Sequence, residues 1–232
     1  MVRDISSYAV YLLDFDGTIA ATRPAGLACL TRTFAERGVS VSPGVVESVI
    51  GSGVPLEAAI AMLMPGLGAD DIVGCTVRYR ELYPEIDVEM TSLFAGARET
   101  MSALHRAGRK IVVLSNKGRG ALEAALARFD LLGMTSAVLA ADPGLPVKPD
   151  PEAFHRRVRP LFAGHSLADF IMVGDTAADI GFAQAAGIAS CWVSYGYGDT
   201  GKCQAMRPDF VADTLSDLLA EGAGARASRG SR

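Results

Sequence analysis

Two aspartates two residues apart, in Asp14-Phe15-Asp16-Gly17-Thr18, are the first residues of this chain whose types and spacing could do chemistry. On an extended chain they project to one side, and Gly17 permits a tight exit that a side chain would obstruct. Such a pair can divide labour, one carboxylate as nucleophile and one as acid; the same residues also fit a turn in which they only bond backbone. Three further groups can act with them. Ser115-Asn116-Lys117 offers a hydroxyl and N–H groups that can grip a phosphate oxygen at a helix entrance, although Ser before a helix also serves as a plain N-cap. Lys148-Pro149-Asp150-Pro151 sets a lysine just before a proline suited to open a helix, with a surface lysine as the alternative. Gly174-Asp175-Thr176-Ala177-Ala178-Asp179 places two carboxylates across a helix start, spaced for a cation or for Asp179 to complement the helix dipole.

Both charge signs are needed if the target is a phosphate. A carboxylate approaching a phosphate dianion meets repulsion of roughly 4 kcal/mol per charge pair at about 4 Å in an effective dielectric of ~20. Mg2+ and Lys148 would offset that. Magnesium takes few carboxylates, retained waters and a substrate oxygen in an octahedron, which Asp14, Asp175 and a backbone carbonyl can provide.

The elements that must position these groups follow from hydropathy patterning. Residues 8–13, 110–114, 137–140, 170–173 and 190–193 are short apolar runs that read as strands buried on both faces. Helical patterns at 120–129, 151–161 and 177–186 alternate with them. This alternation predicts an α/β fold with a doubly wound parallel sheet, whose ligands gather at the carboxyl ends of the strands. Between the first strand and residue 98 only helices are expected, at 24–37, 43–50, 55–63 and 69–83, with no strand among them. The expected division is therefore a core of 1–20 and 94–221, a small α-helical cap domain of 21–93 inserted after the first strand, and a tail at 222–232 too poor in apolar residues to order itself.

Composition narrows the function classes. The chain has 232 residues, half of them apolar, enough to bury a full core. A net charge of −4 with scattered basic residues gives no field for nucleic acid. No apolar stretch suits a signal or a membrane span, so a cytoplasmic protein is expected. Cys29, Cys75, Cys191 and Cys203 lack the spacing of a zinc site or disulfide framework, and His105, His155 and His165 fall on predicted helix surfaces or ends.

In order and spacing, the four groups resemble the haloacid dehalogenase superfamily, in its phosphoglycolate phosphatase-like branch with a helical cap. Phe94-Ala95-Gly96-Ala97, Tyr195-Gly196-Tyr197-Gly198 and Pro208-Asp209-Phe210-Val211 are similar to that branch as well. The resemblance implies a Mg2+-dependent phosphatase acting on a small phosphorylated metabolite, with 2-phosphoglycolate as leading substrate. It makes Asp14 the nucleophile, Asp16 the acid and then the base, Ser115 the holder of the phosphoryl group, and Lys148 its neutraliser. Thr18, Asn116, Lys117 and Arg23 would bind substrate. Asp14, Asp175 and Asp16 through its carbonyl would hold the metal, with Asp179 an outer partner or a guide for Lys148.

Departures from related chemistries also bear on the reading. Dehalogenase relatives lack the second aspartate, which is Asp16 here, and phosphonate-cleaving relatives need a cap lysine, whereas no Lys occurs between Ile19 and Arg109. Mutase relatives carry basic residues in the cap loop that corresponds to Ile50-Gly51-Ser52-Gly53-Val54-Pro55, which has none. The family commonly has an acid where this chain runs Ala20-Ala21-Thr22-Arg23-Pro24. Arg23 would meet a second anionic group of the substrate or pair with a surface acid, and the Gly51–Gly53 loop would close over the site or only separate two helices. The competing readings are a pyrophosphatase, nucleotide phosphatase or sugar-phosphate phosphatase on the same core, and a catalytically silent binding module.

Overall fold

The computed structural model describes residues 4–220 and 226–227. The strands are β1 (Val10–Leu13), β2 (Ala20–Ala21), β3 (Ser92–Leu93), β4 (Lys110–Leu114), β5 (Ala137–Leu139), β6 (Phe170–Gly174), β7 (Ala189–Val193), β8 (Phe210–Ala212) and β9 (Arg226–Ala227). The helices are α1 (Arg23–Ala35), α2 (Pro43–Ile50), α3 (Leu56–Leu63), α4 (Ala69–Met90), α5 (Ala97–Arg106), α6 (Arg119–Arg128), α7 (Ala177–Ala186) and α8 (Thr200–Ala205).

The main sheet runs β5-β4-β1-β6-β7-β8-β9, parallel throughout except for the antiparallel edge pair β8 and β9. Its central strands β1 and β6 are apolar and buried at every position because both faces are covered, and β4 is so after the exposed Lys110 at its start. Tyr11, Leu13, Ile111, Val113, Ile171 and Val173 pack on α5 and α6, while Val10, Leu12, Val112, Leu114, Phe170 and Met172 pack on α7 and Phe154. The fold is α/β and doubly wound, as the alternation predicts. Register then positions the chemistry. Leu13 lies level with Val113 and Val173, so Asp14, Ser115 and Asp175 all leave the sheet at one edge, beside the strand where the winding reverses.

Helices α1 to α4 follow β1 and share an apolar cluster around Leu30, Phe34, Val46, Ile60 and Cys75. Two expectations for this stretch are corrected. No strand is expected between residue 13 and residue 98, yet β2 and β3 pair antiparallel where the chain leaves and rejoins the core. Two-residue strands are too short to show periodicity in a sequence. The helix expected to end at residue 83 continues through Pro84 to Met90. Proline removes one helical hydrogen bond, but Leu82 and Tyr83 before it and Asp87 after it are all buried against neighbours, which outweighs the local preference.

Elsewhere, the helix expected at 151–161 is irregular, with a wide turn at Phe154–Val158 and a tight one at Arg159–Phe162 around Pro160, which has no N–H to continue the ladder. Most of the tail at 222–232 lies outside the described residues. Within it, however, Arg226–Ala227 pairs with β8, because backbone pairing at a sheet edge needs no apolar side chain. Among the described residues, no helix is long and apolar enough to cross a membrane.

Candidate active site

Asp14 is the first residue past β1, and its N–H donates to Val173 O at 2.9 Å, pinning the turn to β6. Gly17 sits at φ +83°, and a Cβ there would come within 2.3 Å of Asp175 Oδ2. A Cβ at Gly196 would press on Asp175 from the other side, at 2.1 Å from its Cβ. The two glycines thus form a backbone cradle fitted to one carboxylate. Asp175, fully buried, accepts from Thr18 Oγ1 at 3.2 Å and from the Tyr197 N–H at 2.6 Å.

Asp14, Asp175 and Asp179 come together, each offering a carboxylate oxygen within 4.8 Å of the others. Lys148, only 2% exposed, reaches in with Nζ 2.6 Å from Asp179 Oδ1 and 2.8 Å from Asp14 Oδ1. The second contact is an ion pair rather than an aligned hydrogen bond, and Asp14 Oδ1 is left buried without a hydrogen-bond donor. Asp179 is otherwise committed: its Oδ2 accepts from the N–H and Oγ1 of Thr176 in a capping box at the start of α7. It therefore caps α7 and pairs with Lys148 at the same time.

One ammonium against three buried carboxylates leaves excess negative charge. Burial pushes Asp14 up to about 7, with Lys148 opposing and Asp179 and Asp16 adding to the rise. Burial likewise holds Asp175 well above the carboxylate range, reinforced by Asp179 and Asp14. For Lys148 burial acts downward, but Asp14 and Asp179 prevail and raise it above the usual lysine value. A cradle, a buried carboxylate oxygen met only by the Lys148 ammonium, and surplus charge are what a divalent cation would satisfy.

Asp16 turns away from that cluster. Its Oδ1 receives Lys117 Nζ at 3.0 Å and its Oδ2 lies 3.5 Å from Ser115 Oγ. Any metal role for Asp16 is therefore left to its carbonyl. Ser115 is not a helix N-cap: α6 starts later, with Gly118 at the cap position, and Ser115 Oγ instead accepts from the Lys117 N–H at 3.3 Å. Asn116 donates to Gly53 O and to Lys148 O, both at 2.8 Å, and accepts from the Lys148 N–H at 3.1 Å. The open question of the Gly51–Gly53 loop is answered by this contact and by the tight approach of Gly53 to Thr176 Oγ1, which a Cβ would meet at 2.6 Å. The loop lies over the site.

Two expected substrate contacts fall elsewhere. Thr18 is fully buried and occupied by Asp175 through its hydroxyl and by Tyr195 through its carbonyl. Arg23 lies over the Tyr197 ring at 4.2 Å and does not line the cleft; among the described residues it pairs with no surface acid. Sequence reasoning also passed over Tyr83, whose hydroxyl accepts from Lys117 Nζ at 2.6 Å. An aromatic residue at helical spacing gives no signal that separates core from site.

Between the inserted helices and the sheet edge lies a cleft of about 780 Å³, with Asp14, Asp16 and Lys148 on its floor and Val49, Tyr79 and Tyr83 on its roof. It brings a buried, cation-paired carboxylate and a more accessible one to a single space.

Known proteins resemble this chain in sequence and fold. The haloacid dehalogenase-like hydrolase family matches residues 11–193. A plasmid-encoded phosphoglycolate phosphatase of Cupriavidus necator is 33% identical over 216 residues, covering 90% of each chain. A phosphoglycolate phosphatase of Vibrio vulnificus is 30% identical, covering 89% of this chain and 92% of its own. Among solved structures, a haloacid dehalogenase-like family hydrolase from Streptococcus pneumoniae shares the fold with a TM-score of 0.78 at 20% identity, over 92% of this chain and 98% of its own. Sheet order, strand-end carboxylates and sequence likeness over most of the length converge, and the chain belongs to the haloacid dehalogenase-like hydrolase family.

Proposed function

We propose that this chain is a Mg2+-dependent phosphoric monoester hydrolase that acts on a small phosphorylated metabolite through a phospho-aspartate on Asp14, with 2-phosphoglycolate as its leading substrate. The observation that carries the reading is the contrast between two carboxylates two residues apart: Asp14 buried against Lys148, Asp16 turned toward the cleft beside Ser115. Relatives named phosphoglycolate phosphatase support the substrate. Residues 21–93 would serve as the cap domain.

Asp14 attacks phosphorus, forming the Asp14 Oδ–P bond as the P–O ester bond breaks, and Asp16 gives its proton to the departing oxygen. Asp16 then takes a proton from water as that water attacks phosphorus, releasing phosphate and restoring Asp14. Ser115 Oγ and nearby N–H groups hold the phosphoryl oxygens, and Lys148 neutralises their charge. Mg2+, held by Asp14, Asp175 and the Asp16 carbonyl with Asp179 behind, would supply the charge compensation that one lysine cannot.

Phosphate release from a panel of esters, pyrophosphate and nucleotides, with and without Mg2+, tests this. Wild type should release phosphate only with metal, and Asp14→Asn should lose at least about 10⁴-fold in kcat. Turnover that survives Asp14→Asn excludes the mechanism.

A further inference from the structure

Lys117 carries an unused donor at the side of Asp16 from which the leaving group must depart. Its side chain is 10% exposed and lies near the floor of the cleft. An ammonium has three donors. One goes to Asp16 Oδ1 at 3.0 Å and one to the Tyr83 hydroxyl at 2.6 Å; the third has no partner among the described residues. The other basic side chains around the cleft are occupied. Lys148 faces Asp14 and Asp179, Arg80 pairs with Glu57, Arg119 with Asp142 and Glu123, and Arg128 with Asp87.

Distances limit what that donor can meet. In the phosphatase reading, on which this inference rests, Asp16 protonates the ester oxygen and so lies within about 3 Å of it. With Lys117 Nζ 3.0 Å from Asp16 Oδ1, the ester oxygen lies within about 6 Å of the ammonium if Oδ1 gives the proton and within about 8 Å if Oδ2 does. A carboxylate on the adjoining carbon places its oxygens about 3 Å beyond the ester oxygen by ordinary bond lengths. With a hydrogen bond of about 3 Å it therefore spans a separation of up to about 6 Å. A neutral group there would leave one donor of a nearly buried cation without a partner, and a carboxylate one carbon further out would have to fix one more rotatable bond to reach it.

We propose that Lys117 is the specificity-determining residue that reads an anionic group on the carbon next to the scissile ester oxygen, selecting phosphate esters of small 2-hydroxy acids over neutral esters of the same size. Tyr83 is its positioning residue. From α4 it holds the ammonium by its hydroxyl, with the ring 4.2 Å from Nζ and itself stacked on Tyr79 at 5.2 Å. The inserted helices thus set substrate choice through a lysine of the core, without any lysine of their own.

The test compares wild type, Lys117→Met, Lys117→Arg and Tyr83→Phe on 2-phosphoglycolate, 2-hydroxyethyl phosphate and 3-phosphooxypropionate, at saturating Mg2+. Wild type should favour 2-phosphoglycolate in kcat/KM over both others. Lys117→Met should slow all esters through Asp16, but its loss on 2-phosphoglycolate should exceed that on 2-hydroxyethyl phosphate by about 10²-fold. Tyr83→Phe should raise KM for 2-phosphoglycolate several-fold while its kcat changes less, and Lys117→Arg should retain part of the preference. Should Lys117→Met fail to fold, product inhibition of wild type decides: glycolate should compete with substrate and ethylene glycol should not. Equal losses on the charged and neutral esters, or equal inhibition by the two alcohols, overturn the role of Lys117 and leave the phosphatase reading standing. Wild type that hydrolyses no phosphate ester removes both.

Discussion

Asp14 and Asp16 are chemically identical side chains made different by their neighbours. Asp14 faces a buried lysine and two other carboxylates, whereas Asp16 faces Lys117 and Ser115 at the cleft. If Asp16 is the acid and base, its contribution depends on how much the leaving oxygen needs a proton. Asp16→Asn is expected to lower kcat by about 10²–10⁴-fold on an alkyl phosphate. The loss should be smaller on p-nitrophenyl phosphate, whose leaving group departs unprotonated, and Mg2+ affinity measured by calorimetry should hardly change. Equal losses on both esters would take the proton-transfer role from Asp16. Lys148 illustrates the same point, because it shares one charge between Asp14 and a helix cap, and neither contact can be altered alone.

At the scale of elements, α4 decides how the inserted helices meet the core. Its last turns carry Asp87, which binds the Arg128 guanidinium of α6 at 2.6 Å and accepts from Thr91 Oγ1 at 2.7 Å. Arg128 also donates to the carbonyls of Asp87 and Val88, so one planar fork satisfies a carboxylate and the end of a helix together. Asp87 is 5% exposed, so Arg128→Ala would strand a nearly buried carboxylate, costing about 2 kcal/mol by loss of a charged hydrogen bond. A fall in Tm together with a raised KM is expected, since Tyr83 sits one turn before Asp87 on the same helix. Arg128→Lys should not restore either, lacking the fork. A variant with unchanged Tm and KM would show that the Asp87–Arg128 pair does not help to hold the two parts together. Asn116 with Gly53 O, Lys117 with the Tyr83 hydroxyl and the Arg23 N–H with the Tyr197 hydroxyl add further ties between these helices and the core.

For the whole molecule, the acidic cluster links stability to pH and to metal. Asp14 titrates at 3.8 ordinarily and about 7 in the fold, so between those values the native state holds a proton that the unfolded chain has lost. The native state then binds more protons, and unfolding free energy falls as pH rises through that window. Asp175 acts in the same direction. A divalent cation that binds only the folded chain reverses the trend, by favouring the ionised carboxylates. Without divalent cation, Tm should therefore drop between about pH 5 and about pH 8, and Mg2+ should raise it more at the higher pH. Thermal unfolding at both pH values decides this; a Mg2+ increment that is larger at low pH would mean that the cation does not bind these carboxylates.

Much of this was legible in order along the chain. Apolar runs buried on both faces announced parallel strands, and three of the four polar groups fall just past β1, β4 and β6, whereas Lys148 comes from the long loop after β5, because strand ends and glycine turns are local features that composition and spacing encode. The helix of residues 177–186 and the strand of 110–114 were readable to the residue for that reason. What tertiary structure alone decided is which of those groups face one another. Thr18 turned to Asp175 rather than to the cleft, Arg23 turned to Tyr197, Asp16 turned to Lys117, and Tyr83, a core residue by its spacing, became the partner of that lysine. The continuation of α4 past Pro84 belongs to the same class. Each outcome depends on contacts between residues distant in sequence, where burial, hydrogen bonding and charge outweigh local preference, and no local pattern records them.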